Sequence, residues 1–491
     1  MGENSQAHRP LAVAAAYFGL SREANQQRSA SWHTLRNRHF RFYFAGSVTS
    51  DLGTWLQNTA QVLLAYRLSH SVLAVGLVTC AQFSSPLVLA PWAGVMTDRF
   101  GGRRILLATQ VTAAAVAAVI AGFVFAGSAS AWVLAFGAVA SGLAFTFALP
   151  ARNVTVRRLV SPADVNPAFA MDSVSYNLGR AVAPPLSVLL VTAFGFGWAF
   201  AVNACSFLVF AVGLMLAGSG HDAGEQGTGR KESRLKDGFV FVAEDWEIAV
   251  PLLMVAAVTV ADDPVLVLGP ALAEHQHVAA SWAGWFIAAL GAGTVLGSFR
   301  PVRRTPSHRQ AAMALAGLAV CMILFVQCSW AWGSLAAAFG AGVSCLIANS
   351  STRSLLASRA GPRREASVMA VWAIAWAGSK PLASLSDGLL AGVVGVKWTG
   401  VILAIPALVP FLVLITLLVT VYTTRAPSRW LVRSRHRLSA IEWFRIAENQ
   451  LGGDRNLSAG GGAAGAGDGI ADEDAKGVDV GLGGGAPEGE P

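Results

Sequence analysis

Long apolar runs alternate with short polar connectors along most of this chain. Twelve of the runs, at 42–66, 72–96, 105–126, 132–151, 166–193, 198–217, 248–271, 281–299, 311–328, 332–352, 366–392 and 399–422, predict helices. Most have the roughly 20 residues that a helix needs to cross a hydrocarbon core of about 30 Å. Inside a bilayer only an α-helix or a closed barrel satisfies its own backbone, and the runs lack the two-residue alternation of barrel strands. The longest connector, 218–247, is polar and rich in glycine from His221 to Gly229. It divides the runs into six and six. The predicted fold class is an all-α polytopic membrane protein with twelve transmembrane helices in two pseudo-symmetric halves, 41–217 and 248–422.

Basic residues fix the expected orientation. The connectors after even-numbered helices carry Arg99, Arg103 and Arg104, then Arg152, Arg157 and Arg158, and similar clusters at 230–236, 300–309 and 353–364. That makes eighteen basic residues, against only Arg67 and Lys397 after odd-numbered helices. Positive charge is retained on the cytoplasmic side during insertion. Both termini are therefore expected in the cytoplasm, with the protein in a bacterial inner membrane. The alternation supports the helix count, because one missed helix would put basic clusters on the wrong side.

The flanks differ in character. Residues 1–40 read as a cytoplasmic extension, or as a start assigned too far upstream. The apolar stretch Leu11–Leu20 is too short to span, and Glu3 sits where a signal peptide would be basic. Residues 423–450 are basic, and Trp430, Leu431, Leu438, Ile441 and Phe444 suggest a helix on the membrane surface. Residues 451–491 are rich in Gly, Ala and acids and are expected to be disordered.

Composition narrows the function. Hydrophobic residues make up 54% of the chain and charged residues 13%, about half the share in soluble proteins. The net charge of +8 comes from topogenic loops, so nucleic acid is not an expected partner. Cys80, Cys205, Cys321, Cys328 and Cys345 all lie in apolar runs and form no metal-ligand spacing. Glu274-His275-Gln276-His277 in an outer loop reads as solvated rather than as a metal site. No phosphate-binding G-x-x-x-x-G-K-[ST] and no nucleophile–base constellation occurs, so neither an ATP-driven motor, a cofactor nor an enzymatic activity is expected.

The sharpest motif follows the second helix: Gly94-Val-Met-Thr-Asp98-Arg99-Phe-Gly101-Gly102-Arg103-Arg104. Gly94 would allow helices to approach closely. Asp98 would cap a helix N-terminus or meet a basic partner. The basic residues would hold the loop in the cytosol. The segment resembles the signature between helices 2 and 3 of the major facilitator superfamily, although Gly102 stands where that family usually has a basic residue. The resemblance implies that Asp98 helps latch the two halves in one state. A worn copy, Gly297-Ser-Phe-Arg300-Pro-Val-Arg303-Arg304, lies in the second half and lacks the acid.

A longer resemblance, over about 35–422, is to the enterobactin-exporter-like branch, also called the transmembrane secretion effector family. It rests on Pro150-Ala151-Arg152, Leu159-Val160, Asp172-Ser173, Asn177, Arg180 and Pro184. Ser50 to Trp55 and Pro264 to Ser298 add to it. It departs at Arg363-Arg364-Glu365, where that branch has R-G-R. Gly179 to Pro184 also resembles a worn antiporter motif, which favours export in exchange for protons.

Charges within the apolar runs are the candidate working residues, since a charge at mid-membrane costs about 2.5–3.5 kcal/mol on insertion scales. Asp172, Tyr176 and Arg180 share a broad face of helix 5. Asp172 and Arg180 are too far apart to touch, so each needs a partner elsewhere. Arg180 is a candidate contact for a substrate anion and Asp172 a candidate proton carrier, against the alternative of two structural ion pairs. Asp51, Trp55 and Asn58 form a second polar stripe on helix 1; Asp51 would carry a proton or bond to helix 5. Asp262-Asp263-Pro264 in helix 7 is a gate, a proton site or a simple break near the outer mouth, with at most one acid facing the cavity. Lys380 in helix 11 is a candidate substrate contact, and Asp387 reads as a rim residue.

These features predict a secondary active transporter, monomeric and working by alternating access. The resemblance implies a proton-coupled exporter of a drug, siderophore or other secondary metabolite. An importer or facilitator on the same fold is the alternative, and a non-transporting receptor a more distant one.

Overall fold

The computed structural model describes residues 34–218, 246–298 and 308–424. The readings at 1–33, at 219–245 within the central loop, at Arg300, Arg303 and Arg304, and in the tail from 425 lie outside the described residues. Residues up to Leu418 belong to one compact unit. Of the second unit, only 419–424, the end of the last helix, is described.

Helices alone organise the described residues, and most of the predicted runs recur within a few residues of their expected limits, the fourth and the seventh excepted. They are α1 (Arg38–Ser69), α2 (Val72–Phe100), α3 (Gly102–Phe125), α4 (Ala131–Leu159), α5 (Val165–Phe194) and α6 (Phe196–Leu216). After the central loop come α7 (Trp246–Asp262), α8 (Pro264–Val267), α9 (Gly269–His275), α10 (Trp282–Ser298), α11 (His308–Gln327) and α12 (Ala331–Thr424).

The predicted seventh span is thus broken into α7, α8 and α9. Pro264 lacks an N–H and its ring crowds the preceding turn, so the helix stops at Asp262 and restarts at the proline.

The run α12 is helical throughout, but it is not straight. Its 94 residues would extend about 140 Å at the α-helical rise. Yet the Arg353 guanidinium lies 5.4 Å from the centre of the Trp372 ring, nineteen residues further on and about 28 Å away along a straight helix. The run therefore folds back between them. It turns again at Gly395, whose φ of 81° is open to glycine without strain, and Gly400 then packs on Val326. Three legs result, corresponding to the predicted helices at 332–352, 366–392 and 399–422.

Nine segments among the described residues are long and apolar enough to cross a membrane, one of them covering both legs on either side of Gly395. Trp282–Gly297 is apolar but shorter. The helix α1 is less apolar because Ser47, Ser50, Asp51, Gln57, Asn58 and Gln61 interrupt it, and all of these except Asn58 are buried. With these included, the count returns to twelve.

The outward face is apolar. Val119, Phe136, Leu189, Leu253, Leu382 and Val393 are all well exposed, as lipid-facing residues are. Trp132, Trp198, Trp330, Trp332 and Trp398 are exposed beside connectors that follow odd-numbered spans. Tryptophan favours the bilayer–water boundary, so these rings mark one edge of the apolar belt.

Inside, α1 packs on α5 and α6, α2 on α4, and α3 on α4 and α6. Two seams join these helices to the later ones. The first is α5 on α10, where a Cβ at Gly291 would come within 2.5 Å of the Arg180 carbonyl oxygen. The second is α2 on the middle leg of α12, where a Cβ at Gly76 would strike the Ser384 carbonyl and one at Gly388 would meet Leu73 Cα at 2.9 Å. Small residues let backbones close on one another where lipid supplies little hydrophobic drive.

Candidate functional site

Two buried charge assemblies occupy the interior. In the first, Arg152 is the hub. Its Nη1 and Nη2 donate to the two oxygens of Asp51 at 3.0 and 2.9 Å, and its Nε donates to Asp172 Oδ1 at 2.9 Å. Nε also donates to the Tyr43 hydroxyl at 3.1 Å, and Nη2 to Ser47. The Tyr43 hydroxyl donates to Asp172 at 3.1 Å, and Ser175 donates to Asp51. One cation thus faces two carboxylates, with hydroxyls filling the remaining positions. The forked guanidinium suits this arrangement, since it can address both acids at once.

This assembly corrects the reading of Arg152 as a loop residue. The helix α4 continues to Leu159, two turns past the predicted end, and carries Arg152 into the bundle. The sequence placed Asp51 and Asp172 as inward acids needing partners, but not the partner itself.

The second assembly joins α5, α7 and α12. Arg180 Nη2 donates to Asp262 Oδ2 at 2.9 Å. Lys380 pairs closely with Asp263 and lies 3.9 Å from Asp262. Ser384 donates to the other oxygen of Asp263. The Arg180 guanidinium also lies 5.6 Å from the centre of the Trp55 ring, which meets Tyr176 edge-on at 5.6 Å. A cation over an indole face is attracted by its quadrupole. The requirement that Asp172 and Arg180 each find a partner on another helix is met in both cases.

A cavity of about 660 Å³ lies at the seam between the early and late helices. Trp55, Asn58, Tyr176, Arg180, Asp262 and Lys380 line it, as the sequence suggested. Asp51, Asp172 and Asp263 do not. Of the adjacent acids Asp262 and Asp263, one lines the cavity, as their angular separation predicts. Sequence reasoning missed Gln61, Gln82, Asn349, Arg353, Trp372 and Trp376 in the lining. Gln61 donates to Gln82 at 3.3 Å and Gln82 to Asn58 at 3.1 Å, forming a carboxamide chain along one wall. The three-residue step from Asn58 to Gln61 on α1 was the available signal. Trp55 Nε1, Arg180 Nε, Gln61 Oε1, Asn349 Oδ1 and Trp372 Nε1 are buried without a hydrogen-bond partner among the described residues. Together they offer donors and acceptors to a bound solute, while the indole rings offer flat apolar faces.

The Gly94–Arg104 loop differs in part from expectation. A Cβ at Gly94 would meet nothing within 4 Å, so this glycine makes no close helix contact here. Asp98 lies inside α2, exposed, and makes no ion pair among the described residues; it caps no helix, since the N-cap of α3 is Gly101. Gly101 takes a φ of 86° and turns the chain between α2 and α3. Arg99 and Arg104 are exposed. Arg103 donates to the Leu214 and Met215 carbonyls at the end of α6. Gly102 is where the close approach occurs: a Cβ there would meet Val154 at 2.9 Å. That contact explains why no larger basic side chain stands at this position.

At the opposite end of the bundle, Tyr66 of α1 donates to Glu274 of α9 at 2.6 Å, so this glutamate is engaged rather than simply solvated. Val62, Tyr66, Val75, Val267 and Ala271 close around that bond. Tyr66→Phe is expected to loosen this end. A hydrogen bond to a charged group contributes about 1.5–3 kcal/mol, so labelling of a cysteine placed at Ser71 by an impermeant maleimide should speed up about tenfold or more. An unchanged labelling rate would show that the apolar contacts suffice to keep this end shut.

Residues 43–384 match the profile of the Major Facilitator Superfamily. The chain belongs to the major facilitator superfamily. That family is one of multi-pass membrane transporters rather than of enzymes. Among curated relatives it is 24% identical over 266 residues to the uncharacterised MFS-type transporter YfiS of Bacillus subtilis (strain 168), covering 51% of this chain and 61% of that one. It is 25% identical over 184 residues to YhjO of the same organism, covering 37% and 44%. The chain thus spans less than two thirds of the length of either.

Solved superfamily structures share the fold. The nucleoside transporter NupG aligns with a TM-score of 0.63 at 12% identity, over 77% of this chain and 99% of that one. A bacterial homologue of the human lysosomal transporter Spinster, in an inward-facing and unoccupied conformation, aligns with a TM-score of 0.60 at 13% identity, over 76% and 95%.

Proposed function

We propose that this superfamily member is a proton-coupled exporter of a small molecule, working as a monomer by alternating access. The observation that carries the reading is the cavity at the seam, crossed by the Arg180–Asp262 pair. A site built from α5 on one side and α7 and α12 on the other is reshaped when the two sets of helices move relative to one another. Two halves, 41–217 and 248–422, would rock about it. Tyr66 bonds Glu274 across one end, whereas Asp98 at the other end makes no ion pair among the described residues. With both termini in the cytoplasm of a bacterial cell, this is an inward-open state in which the latch at Asp98 is disengaged.

The lining favours a particular kind of solute. Trp55, Tyr176, Trp372 and Trp376 supply aromatic faces, and Arg180, Arg353 and Lys380 supply positive charge. A planar or conjugated molecule bearing an anionic or strongly accepting group fits this chemistry. Drugs, siderophores and other secondary metabolites of the enterobactin-exporter-like branch have that character.

The test compares secreted and retained metabolites in a deletion strain and its parent. The expected result is a compound that accumulates inside the deletion strain and disappears from its medium. Slower consumption of an external nutrient, with nothing retained, would replace the exporter by an importer on the same fold.

A further inference from the structure

Asp387 has no role in the ion pairs described above, and its surroundings differ from those expected of a rim residue. It lies on the middle leg of α12, two turns after Lys380, and is fully buried. Neither of its oxygens has a hydrogen-bond donor among the described residues. Lys380, Ser384 and Asp387 follow one another at steps of four and three residues and so share one face of the leg, and the first two both engage Asp263, another fully buried acid. Ser384, one turn before Asp387, spends its hydroxyl proton on Asp263.

The charges around this pair do not balance. Asp262 and Asp263 of α7 and the adjoining turn, together with Asp387 of α12, supply three carboxylates. Lys380 of α12 and Arg180 of α5 supply two cations, and Arg180 is already committed to Asp262. From α2 the ionisable group facing Asp263 is the Cys80 thiol. With all three acids ionised, one buried negative charge has no counterpart among the described residues. Two ionised carboxylates on facing sides of this packing have no proton to share, so neither can donate to the other; Asp263 Oδ1 and both oxygens of Asp387 are without a hydrogen bond among the described residues. A single proton removes both faults: it cancels the surplus charge and supplies the missing hydrogen bond.

The pair also lies between two hollows. Lys380 lines the central cavity, whereas Asp263 and Asp387 do not. On the other side a hollow of about 530 Å³ is lined by Leu73, Ala391 and Gly392, with His70, Glu274 and His275 around it. Ala391 is one turn from Asp387, and Leu73 packs on Gly388.

We propose that Asp263 and Asp387 hold one proton between them and form the coupling-proton site, an inference that rests on the proton-coupled reading above. The proton sits on one carboxyl and is hydrogen-bonded to the other. It leaves to water in the hollow beside Ala391 when the packing between that hollow and the two acids parts. Its loss binds Lys380 more firmly to the Asp263–Asp387 side. Its return frees Lys380 to approach Asp262, which competes with Arg180 for that acid in the substrate cavity.

The test is infrared spectroscopy of the full chain in lipid at neutral pH, read at the carbonyl stretch of a protonated carboxylic acid. The expected result is such a band in the wild type, vanishing reversibly as the pH is raised. It should be lost in Asp387→Asn and kept in both Asp387→Glu and Asp51→Asn. A wild type with no such band, or a band that survives in Asp387→Asn, overturns the proposal. No substrate is added, so the outcome is separable from the exporter reading. The expected bands with no exported compound would retain the proton site and remove the exporter, whereas export without the band would remove the proton site alone.

Discussion

Arg152→Ala is expected to be the most damaging single substitution in the protein, lowering stability by about 3–5 kcal/mol. The reason is the asymmetry between burying a charge pair and breaking one. Arg152, Asp51 and Asp172 are 18%, 8% and 19% exposed, respectively. Without the guanidinium, both acids remain in place with only Tyr43, Ser47 and Ser175 to satisfy them. Their shared cation is gone, and water replaces it at the cost of opening the bundle. A loss of this size is a large share of the roughly 5–15 kcal/mol that keeps a folded domain together. Thermal unfolding of the purified protein should show a melting point lowered by many degrees.

Arg152→Lys should recover only part of this loss, because one ammonium cannot reproduce the two-pronged contact with Asp51 while also reaching Asp172. The triple variant Arg152→Met, Asp51→Asn, Asp172→Asn should recover most of it, since removing the whole set leaves no uncompensated charge. If Arg152→Ala melted within about a degree of the wild type, the hub would contribute nothing. Arg152 would then be a topogenic charge, as its place in the sequence suggested.

That contrast shows which parts of this protein are legible in the sequence. The helices are legible because each must bury a long apolar run in lipid and satisfy its own backbone, so length and hydropathy nearly determine them. Even the fold-back within Ala331–Thr424 is written as the basic connector at 353–365, and the second turn as Gly395 and Lys397 in an otherwise apolar stretch. The inward acids are legible for the same reason, since a lone charge in an apolar run needs a partner. The partner is another matter. Arg152 looks like one of many cytoplasmic arginines, and only the two extra turns of α4 reveal where it sits. Arg353 is similar: counted as a loop charge, it lines the cavity over Trp372.

Asp387 fails in the opposite direction. Its distance along the helix placed it at the rim, but α2 and the broken seventh span cover it completely. Gly94 and Gly102 show the limit of motif reading. The motif assigns the close contact to Gly94, whereas packing of α3 on α4 places it at Gly102. Pairing across helices depends on rotation and tilt, and neither is written in the periodicity of one segment.

Arg180→Ala should behave differently from Arg152→Ala, and the difference separates a working charge from a structural one. Its partner Asp262 is not orphaned by the change, because Lys380 lies 3.9 Å away and can move closer. Stability should therefore fall by about 1.5–3 kcal/mol, the worth of one charge-assisted hydrogen bond and less than the loss at Arg152. Transport should suffer far more. Arg180 Nε is buried in the cavity with no acceptor among the described residues, so it is available to a solute acceptor. Loss of such a contact, at about 1.5–3 kcal/mol, corresponds to roughly a ten- to hundredfold fall in export. The measurement is release of the compound found in the deletion-strain comparison, normalised to the amount of variant in the membrane. Normal export by Arg180→Ala would remove Arg180 from the substrate site. A collapse in stability matching that of Arg152→Ala would assign it to the scaffold instead. A large loss of export from a protein that still melts near the wild-type temperature is the result the cavity predicts.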